Sequence, residues 1–385
     1  MQGAELCNEI AEDTEAPVYH VALSMIPMVG SVMARQLISY CGSAKSVFSA
    51  PLRQLTAIPG IGPKLRHHLS RRHHWLALAE QEVAQCTQQN IEVITLSSPH
   101  YPERLRHIYD APIALFYRGT ARLDSAKVIS VVGTRQATTY GRQVTEELIT
   151  ALAQYDDLLI VSGLAYGIDI AAHRAALAAG LPTVGVMASG LDTIYPAVHR
   201  SDALNMLQQG GGLLTESPLG TKPDGPRFPA RNRIIAGLSD AVVVVEAAEK
   251  GGALITAHLA NDYDREVFAV PGSLYQKYAR GCHRLIKEHK ARLITESQDI
   301  VTMLNWDIPL ERNVRKAEPS PTVAVTLDQD EATVATLLDQ HRPGMLLDDI
   351  SWQSQIPVNK LAGVLLSLEF KQVIKALPGR QFQLK

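Results

Sequence analysis

The sequence predicts an α/β protein: a Rossmann-like, mostly parallel sheet with an N-terminal helix-hairpin-helix (SAM-like) domain before it and a C-terminal winged helix after it. Three observations carry that expectation. Seven short apolar runs, at 128–132, 158–161, 184–187, 213–215, 241–245, 267–270 and 293–294, alternate with amphipathic stretches such as 141–153 and 170–179. Two apolar-glycine turns, Ile26-Pro27-Met28-Val29-Gly30 and Ile58-Pro59-Gly60-Ile61-Gly62-Pro63-Lys64, each lead into helical apolar spacing. Near the C-terminus, three helix-patterned stretches precede two strand-like runs around Val373-Ile374 and Phe382-Gln383.

The hairpin turns come first. In a helix-hairpin-helix pair the glycine turn lets a phosphate approach backbone N–H groups at a helix N-terminus. A packing turn between two core helices has the same pattern, and both readings stand. Only the second turn has bases nearby, Lys64, Arg66, Arg71 and Arg72. The pairs His67-His68 and His73-His74 lie beside arginines, with no cysteine or carboxylate to complete a ligand set, so they read as a solvated face and no metal is expected.

The apolar runs lack polar alternation. Strands buried on both faces look like this, and alternation with helices makes the sheet parallel and doubly wound. In the C-terminal unit the helix over 357–370 stands where a winged helix reads DNA, yet Lys360 is its only base, so protein contact is at least as good a reading as groove contact. The expected boundaries are an acidic disordered tail over 1–16, the hairpin domain over 17–80, the Rossmann-like domain over 81–304, a linker over 305–326 and the winged helix over 327–385.

Composition narrows the function classes. With 46% hydrophobic and 20% charged residues the chain has a globular profile, and at 385 residues it exceeds one ordinary core. No apolar run approaches the roughly 20 residues that cross a bilayer. The acidic N-terminus does not resemble a signal peptide, and the four cysteines form no C-x-x-C pair. A reducing cytoplasm, without membrane association, is expected. A net charge of −2 means that any nucleic-acid site is a local basic patch.

Candidate sites cluster at strand ends. Gly133-Thr134-Arg135 ends one apolar run, where glycine permits close approach, a following helix dipole favours negative charge and Arg135 supplies a planar phosphate clamp. No G-x-G-x-x-G follows, so this is not a dinucleotide fingerprint. Ser162-Gly163 ends the next run and offers donors to phosphate, while Asp169 reads as the cap of the helix after it and His173 as a satisfied helix residue. Arg227, Phe228, Arg231, Asn232 and Arg233 crowd a helix start, where cations oppose the dipole. An anionic partner, or internal carboxylates such as Glu216 or Glu246, would offset that cost. Phe228 reads equally as a stacking platform for a base and as a core anchor. Lys250-Gly251-Gly252 opens another helix, and Pro271-Gly272 is followed by a basic run from Lys277 to Arg292. In a parallel sheet these turns share one edge, which suits several consecutive phosphates.

Together the strings Gly133-Thr134-Arg135, Ser162-Gly163-Leu164-Ala165, Gly167-Ile168-Asp169, Phe228-Pro229, Arg231-Asn232-Arg233, Gly251-Gly252 and Pro271-Gly272 resemble the DprA (Smf) family. The resemblance implies a non-enzymatic single-stranded-DNA-binding protein of natural transformation and recombination. Such a protein protects incoming strands, helps load the RecA recombinase, forms a homodimer through its Rossmann-like domain and needs no cofactor. Three departures stand out: Tyr166 in place of a base, Gly251-Gly252-Ala253 in place of Ser-Gly-Ser, and His283, His289 and Lys290 late in the domain. The alternative is a nucleotide-binding or nucleoside-monophosphate-hydrolysing enzyme on a related fold, but its P-G-G-x-G-T-x-x-E turn is missing.

Overall fold

Residue alternation along each apolar run explains the architecture. In a strand, successive side chains point to opposite faces. Val128 and Val132, Leu159 and Val161, and Val242 and Val244 enter one core. Their neighbours Ile129 and Val131, Leu158 and Ile160, and Ala241 and Val243 enter a second. Because both faces are covered, no position in these strands can be polar without a buried partner, which is why the runs read as continuous.

The computed structural model describes residues 16–306, 328–340, 345–354, 356–371, 373–377 and 381–384. The expected acidic tail up to residue 15 and all but two residues of the expected linker lie outside them. The chain forms two compact units, Met1–Ile308 and Pro309–Lys385.

The first unit is built on a nine-stranded sheet of order β1-β2-β6-β5-β4-β3-β7-β8-β9. The strands are β1 Glu92–Thr95, β2 Ala114–Gly119, β3 Lys127–Val132, β4 Leu158–Ser162, β5 Thr183–Val186, β6 Gly212–Thr215, β7 Ala241–Val244, β8 Glu266–Ala269 and β9 Arg292–Leu293. From β6 to β9 every pairing is parallel, and these seven strands are the seven apolar runs. β1 and β2 were not among the runs. They extend the sheet antiparallel beyond β6, with Phe116 opposite Thr215.

The N-terminal helices Ala16–Met25, Ser31–Cys41, Leu52–Thr56 and Pro63–Ser70 flank the two glycine turns. They do not form a separate core. Val21, Leu23, Leu37, Val47, Leu55, Leu65 and Leu69 pack into one cluster with Phe116, Met187 and Leu213 of the sheet. Arg72, expected among the surface bases, is buried instead. Its guanidinium donates to the carbonyls of Phe48 at 3.1 Å, Ala50 at 2.6 Å and Leu69 at 3.3 Å.

The second unit has helices Gln329–Gln340, Leu347–Ser354 and Val358–Phe370 beside a three-stranded sheet of order β10-β12-β11 (Met345–Leu346, Gln381–Leu384, Ile374–Leu377). Val334, Leu338, Ile350, Leu361, Leu365, Leu368 and Ile374 make its core. This is the expected winged helix. Lys360 pairs with Asp330. Lys371 and Ser367 hold the buried Glu331 carboxyl down at about 2.

Candidate nucleic-acid interface

All parallel strands open their C-terminal ends on one edge. Sequence order reverses there: β4, β5 and β6 lie to one side of β3, while β7, β8 and β9 lie to the other. In open α/β sheets that reversal makes a crevice where ligands bind. It is flanked here by the turn after β3 and the turn after β7.

The crevice already contains an anion, one of the protein's own. Glu246, 3% exposed, accepts the Thr138 N–H at 2.9 Å and the Thr138 hydroxyl at 2.6 Å. Thr138 caps the helix Thr139–Leu152 by accepting the Gly141 N–H at 3.1 Å. The positive end of that helix is thus occupied by a carboxylate. A Cβ on Gly141 would lie 2.2 Å from Glu246 Oε2, so only glycine leaves room for it. Of the two internal carboxylates named as partners for the helix-start arginines, Glu246 is engaged by Thr138, while Glu216 is engaged by Arg233. Gly133 is required for packing, since its Cβ would fall 2.4 Å from Ile168 Cγ1. Thr134 donates its N–H to the Glu246 carbonyl at 2.7 Å, and its hydroxyl oxygen accepts the Gln136 N–H at 3.2 Å.

The turn after β4 repeats the pattern. Ser162 is fully buried and donates its hydroxyl to the Val131 carbonyl at 2.6 Å, so that proton is not offered to a ligand. Asp169 does not cap its helix; Gly167 holds the N-cap position of Ile168–Ala178. Instead its carboxylate accepts the backbone N–H groups of Ala165 and Gly163 and faces Arg231. Burial pushes this carboxyl above its ordinary range, while Arg231, the two amides and Arg135 act against the rise. A Cβ on Gly163 would sit 2.6 Å from both Asp169 Oδ2 and Arg231 Nη2. Behind this turn His173 is buried, its Nδ1 2.7 Å from the Thr183 hydroxyl. Its Nε2 has no hydrogen-bond partner among the described residues, so the ring is only half satisfied.

The arginines of the helix Arg227–Leu238 divide. Arg231, 5% exposed, donates to the Gly163 carbonyl at 2.8 Å, to Asn232 Oδ1 at 3.3 Å and to the Val186 carbonyl. Burial draws its guanidinium down to about 10, against the pull of Asp169. Asn232, also buried, donates Nδ2 to the Gly252 carbonyl at 3.2 Å. Arg233 donates to the Asp110 carbonyl at 2.8 Å, to Ser31 Oγ at 3.2 Å and to the Glu216 carboxylate. These three residues face inward. The cost of gathering cations at a helix start is offset by internal carboxylates, Asp169 facing Arg231 and Glu216 paired with Arg233.

A narrower set remains outside. Arg135 is exposed and has no ion pair among the described residues. Its guanidinium carbon lies 5.1 Å from the centroid of the half-buried Phe228 ring, a cation–π arrangement. Phe228 in turn sits 5.7 Å from the ring of Tyr195, which is 43% exposed. Arg227 is exposed at the start of its helix. Lys250, Gly251 and Gly252 are exposed, and the helix Gly252–Asp262 has no side-chain cap. Tyr166 is exposed and meets His199 edge-on at 5.1 Å. Much of the basic run after Gly272 is neutralised locally: Arg284 and Lys290 pair with Glu288, Arg292 with Glu266 and Arg280 with Glu249. Sequence reasoning missed Tyr195, although Tyr195-Pro196 in a strand-end loop carries the same signal as Phe228-Pro229.

Fold and site define a class: an open α/β protein whose sheet edge presents a strip of cations and rings in place of a single-phosphate pocket. The chain belongs to the DNA recombination-mediator protein A family, whose model matches residues 92–305, and a DprA winged helix domain model matches residues 318–380. It is 45% identical over 233 residues to the DNA processing protein DprA of Bacillus subtilis, covering 60% of this chain and 76% of that one. Protein Smf of Synechocystis is 32% identical, covering 95% of this chain and 98% of its own. Among solved structures, DNA processing protein A of Streptococcus pneumoniae superposes with a TM-score of 0.64 at 34% identity, covering 75% of this chain and 97% of that one. Its Helicobacter pylori counterpart, described for its single-stranded DNA binding mode, gives 0.50 at 31% identity, covering 56% and 97%. No helix among the described residues is long and apolar enough to cross a membrane.

Proposed function

We propose that this chain binds single-stranded DNA along the C-terminal edge of its sheet, protects the strand and helps load a RecA-type recombinase, acting as a homodimer and without catalysis. One observation carries the binding reading: the unpaired Arg135 guanidinium lies on Phe228, with Tyr195 beside it. Rings of this kind stack on any base, and a cation beside them holds the backbone. Lys250 and the Gly251-Gly252 turn add a further cation and a helix start without a side-chain cap on the same edge. The single-stranded DNA binding mode described for the Helicobacter pylori relative supports the choice of ligand. Strand protection, recombinase loading and dimerisation are supported by family membership alone. The nucleotide-hydrolysing alternative is disfavoured because Glu246 fills the helix N-terminus where a nucleotide phosphate would sit.

The test is a salt titration of oligonucleotide binding. Arg135→Ala is expected to weaken binding by about 1–3 kcal/mol regardless of base sequence and to lower the salt slope by about 0.7. Phe228→Ala is expected to cost a similar amount with the slope unchanged. If neither substitution changes affinity, the edge is not the site.

A further inference from the structure

Among the described residues of the first unit, no large apolar side chain is more exposed than Tyr275, at 94%, or Leu274, at 76%. They hold the two central positions of a tight turn after β8, closed by the Gln276 N–H donating to the Ser273 carbonyl at 3.0 Å. The flanks of that turn are fixed. Tyr140 donates its hydroxyl to the Pro271 carbonyl at 2.8 Å, and His283 Nε2 lies 2.9 Å from the Gly272 carbonyl. On the other side the Tyr278 carbonyl accepts the Ala247 N–H at 2.6 Å, from the turn after β7. The Tyr278 hydroxyl meets the side chain of Gln136, the residue after Arg135. The turn is therefore a held tip on the same edge as the cation–ring strip.

A lone exposed ring is ordinary. What marks this one is the cation beside it. Lys277 is exposed, makes no ion pair among the described residues and places Nζ 5.3 Å from the centroid of the half-buried Tyr278 ring. Arg135 stands in the same relation to the half-buried Phe228, with the more exposed Tyr195 next to it. Each group thus joins an unpaired cation, the ring that supports it and a ring open to solvent. A protein partner would match the apolar tip alone, whereas a polyanion with stackable groups matches the ring and the lysine together.

The two groups are spaced by the sheet. Strands β5, β4, β3, β7 and β8 are neighbours in that order; Tyr195 follows β5, and the Tyr275 turn follows β8. Four spacings of about 4.8 Å separate them, about 19 Å in all. A strand stacked at about 3.4 Å per nucleotide covers that distance in about six nucleotides.

We propose that the turn after β8 is a second station for the same single strand, where Tyr275 stacks a base and Lys277 holds a phosphate about six nucleotides from the Arg135–Phe228 group. The proposal rests on the sheet-edge reading and deepens it, because it sets the length of strand that one chain covers.

The test measures binding of the full-length protein to oligothymidylates of about 4 and about 20 nucleotides, between about 50 and 200 mM salt. Tyr275→Ala is expected to weaken binding of the longer strand about fivefold or more, with the salt slope unchanged. Lys277→Ala should weaken it about threefold or more and lower the slope by about 0.7. Tyr275→Phe keeps the ring and should bind as wild type does. The shorter strand cannot span both stations, so its affinity should stay within about twofold in all three variants. The proposal is overturned if Tyr275→Ala and Lys277→Ala bind the longer strand as wild type does, or if Tyr275→Phe loses as much as Tyr275→Ala. It is also overturned if the loop variants weaken both lengths equally. Failure of the sheet-edge reading shows separately, as Arg135→Ala and Phe228→Ala variants that bind both lengths as wild type does.

Discussion

The turns after β3 and β4 and the turn after β7 begin alike, as glycines at strand ends leading into helices, and end differently. In the first two, the donors face carboxylates from the same chain: Glu246 on Thr138, and Asp169 on the Gly163 and Ala165 amides. In the third, Gly251-Gly252 has no capping side chain and lies in the open beside Lys250. A strand-end glycine turn makes an anion site in every case. Whether that site receives a ligand depends on whether a carboxylate from a neighbouring element reaches it first. The closed turns brace the edge, and Arg135 is held outside by its stacking on Phe228.

The largest expected effect tests the closed turns. Arg231→Ala removes the guanidinium that donates to the Gly163 and Val186 carbonyls and faces the buried Asp169, and chemical denaturation should show a loss of about 3 kcal/mol. Adding Asp169→Asn to that variant should restore part of the loss. A single variant as stable as wild type would break the view that Arg231 is a brace.

Acid should reveal the same packing. Burial first, with His199 and Arg231 adding to it and Asp202 opposing, holds the folded His173 at about 3, below its ordinary 6.5. Its neutral form is therefore favoured on folding. This contribution is fully present above pH 6.5 and is lost as pH falls toward 3. At pH 5 the loss should be about 2 kcal/mol relative to pH 7. A His173→Gln variant should show a flatter stability profile over that interval, and an unchanged slope would remove His173 from the account.

A glycine pair sharpens the contrast. Gly141→Ala drives a Cβ into the Glu246 carboxylate and should cost about 1–3 kcal/mol. Gly251→Ala meets nothing within 4 Å and should change stability by no more than about 0.5 kcal/mol. Equal costs in the two would mean that the two kinds of turn do not differ as described.

The parallel sheet was legible because burial on both faces leaves an unbroken apolar run; all seven runs became strands, with only the two-residue edge strand β9 exposed. β2 was not, although its buried Ala114–Tyr117 is as long as β5, β6 or β7, because it joins the sheet antiparallel, outside the strand–helix alternation that marked the others. The candidate site was legible as a location and less so as a set of contacts. Arg135, Lys250, Gly251 and Gly252 stand on the surface with Phe228 half-buried among them, while Ser162, Arg231, Asn232 and Arg233 support it from within. An arginine in a string has the same chemistry whichever way it points. Arg231 turns inward because Asp169, far away in sequence, is buried opposite it, and Arg233 because Glu216 and Asp110 are.

By itself the sequence determined the α/β class, the strand positions and the edge where glycine turns and cations gather, because apolar periodicity and turn chemistry act over a few neighbouring residues. Only the tertiary structure decided which of those turns are filled. A carboxylate is drawn to whichever positive helix end or guanidinium the packed chain brings within hydrogen-bond reach, and that distance depends on the whole sheet.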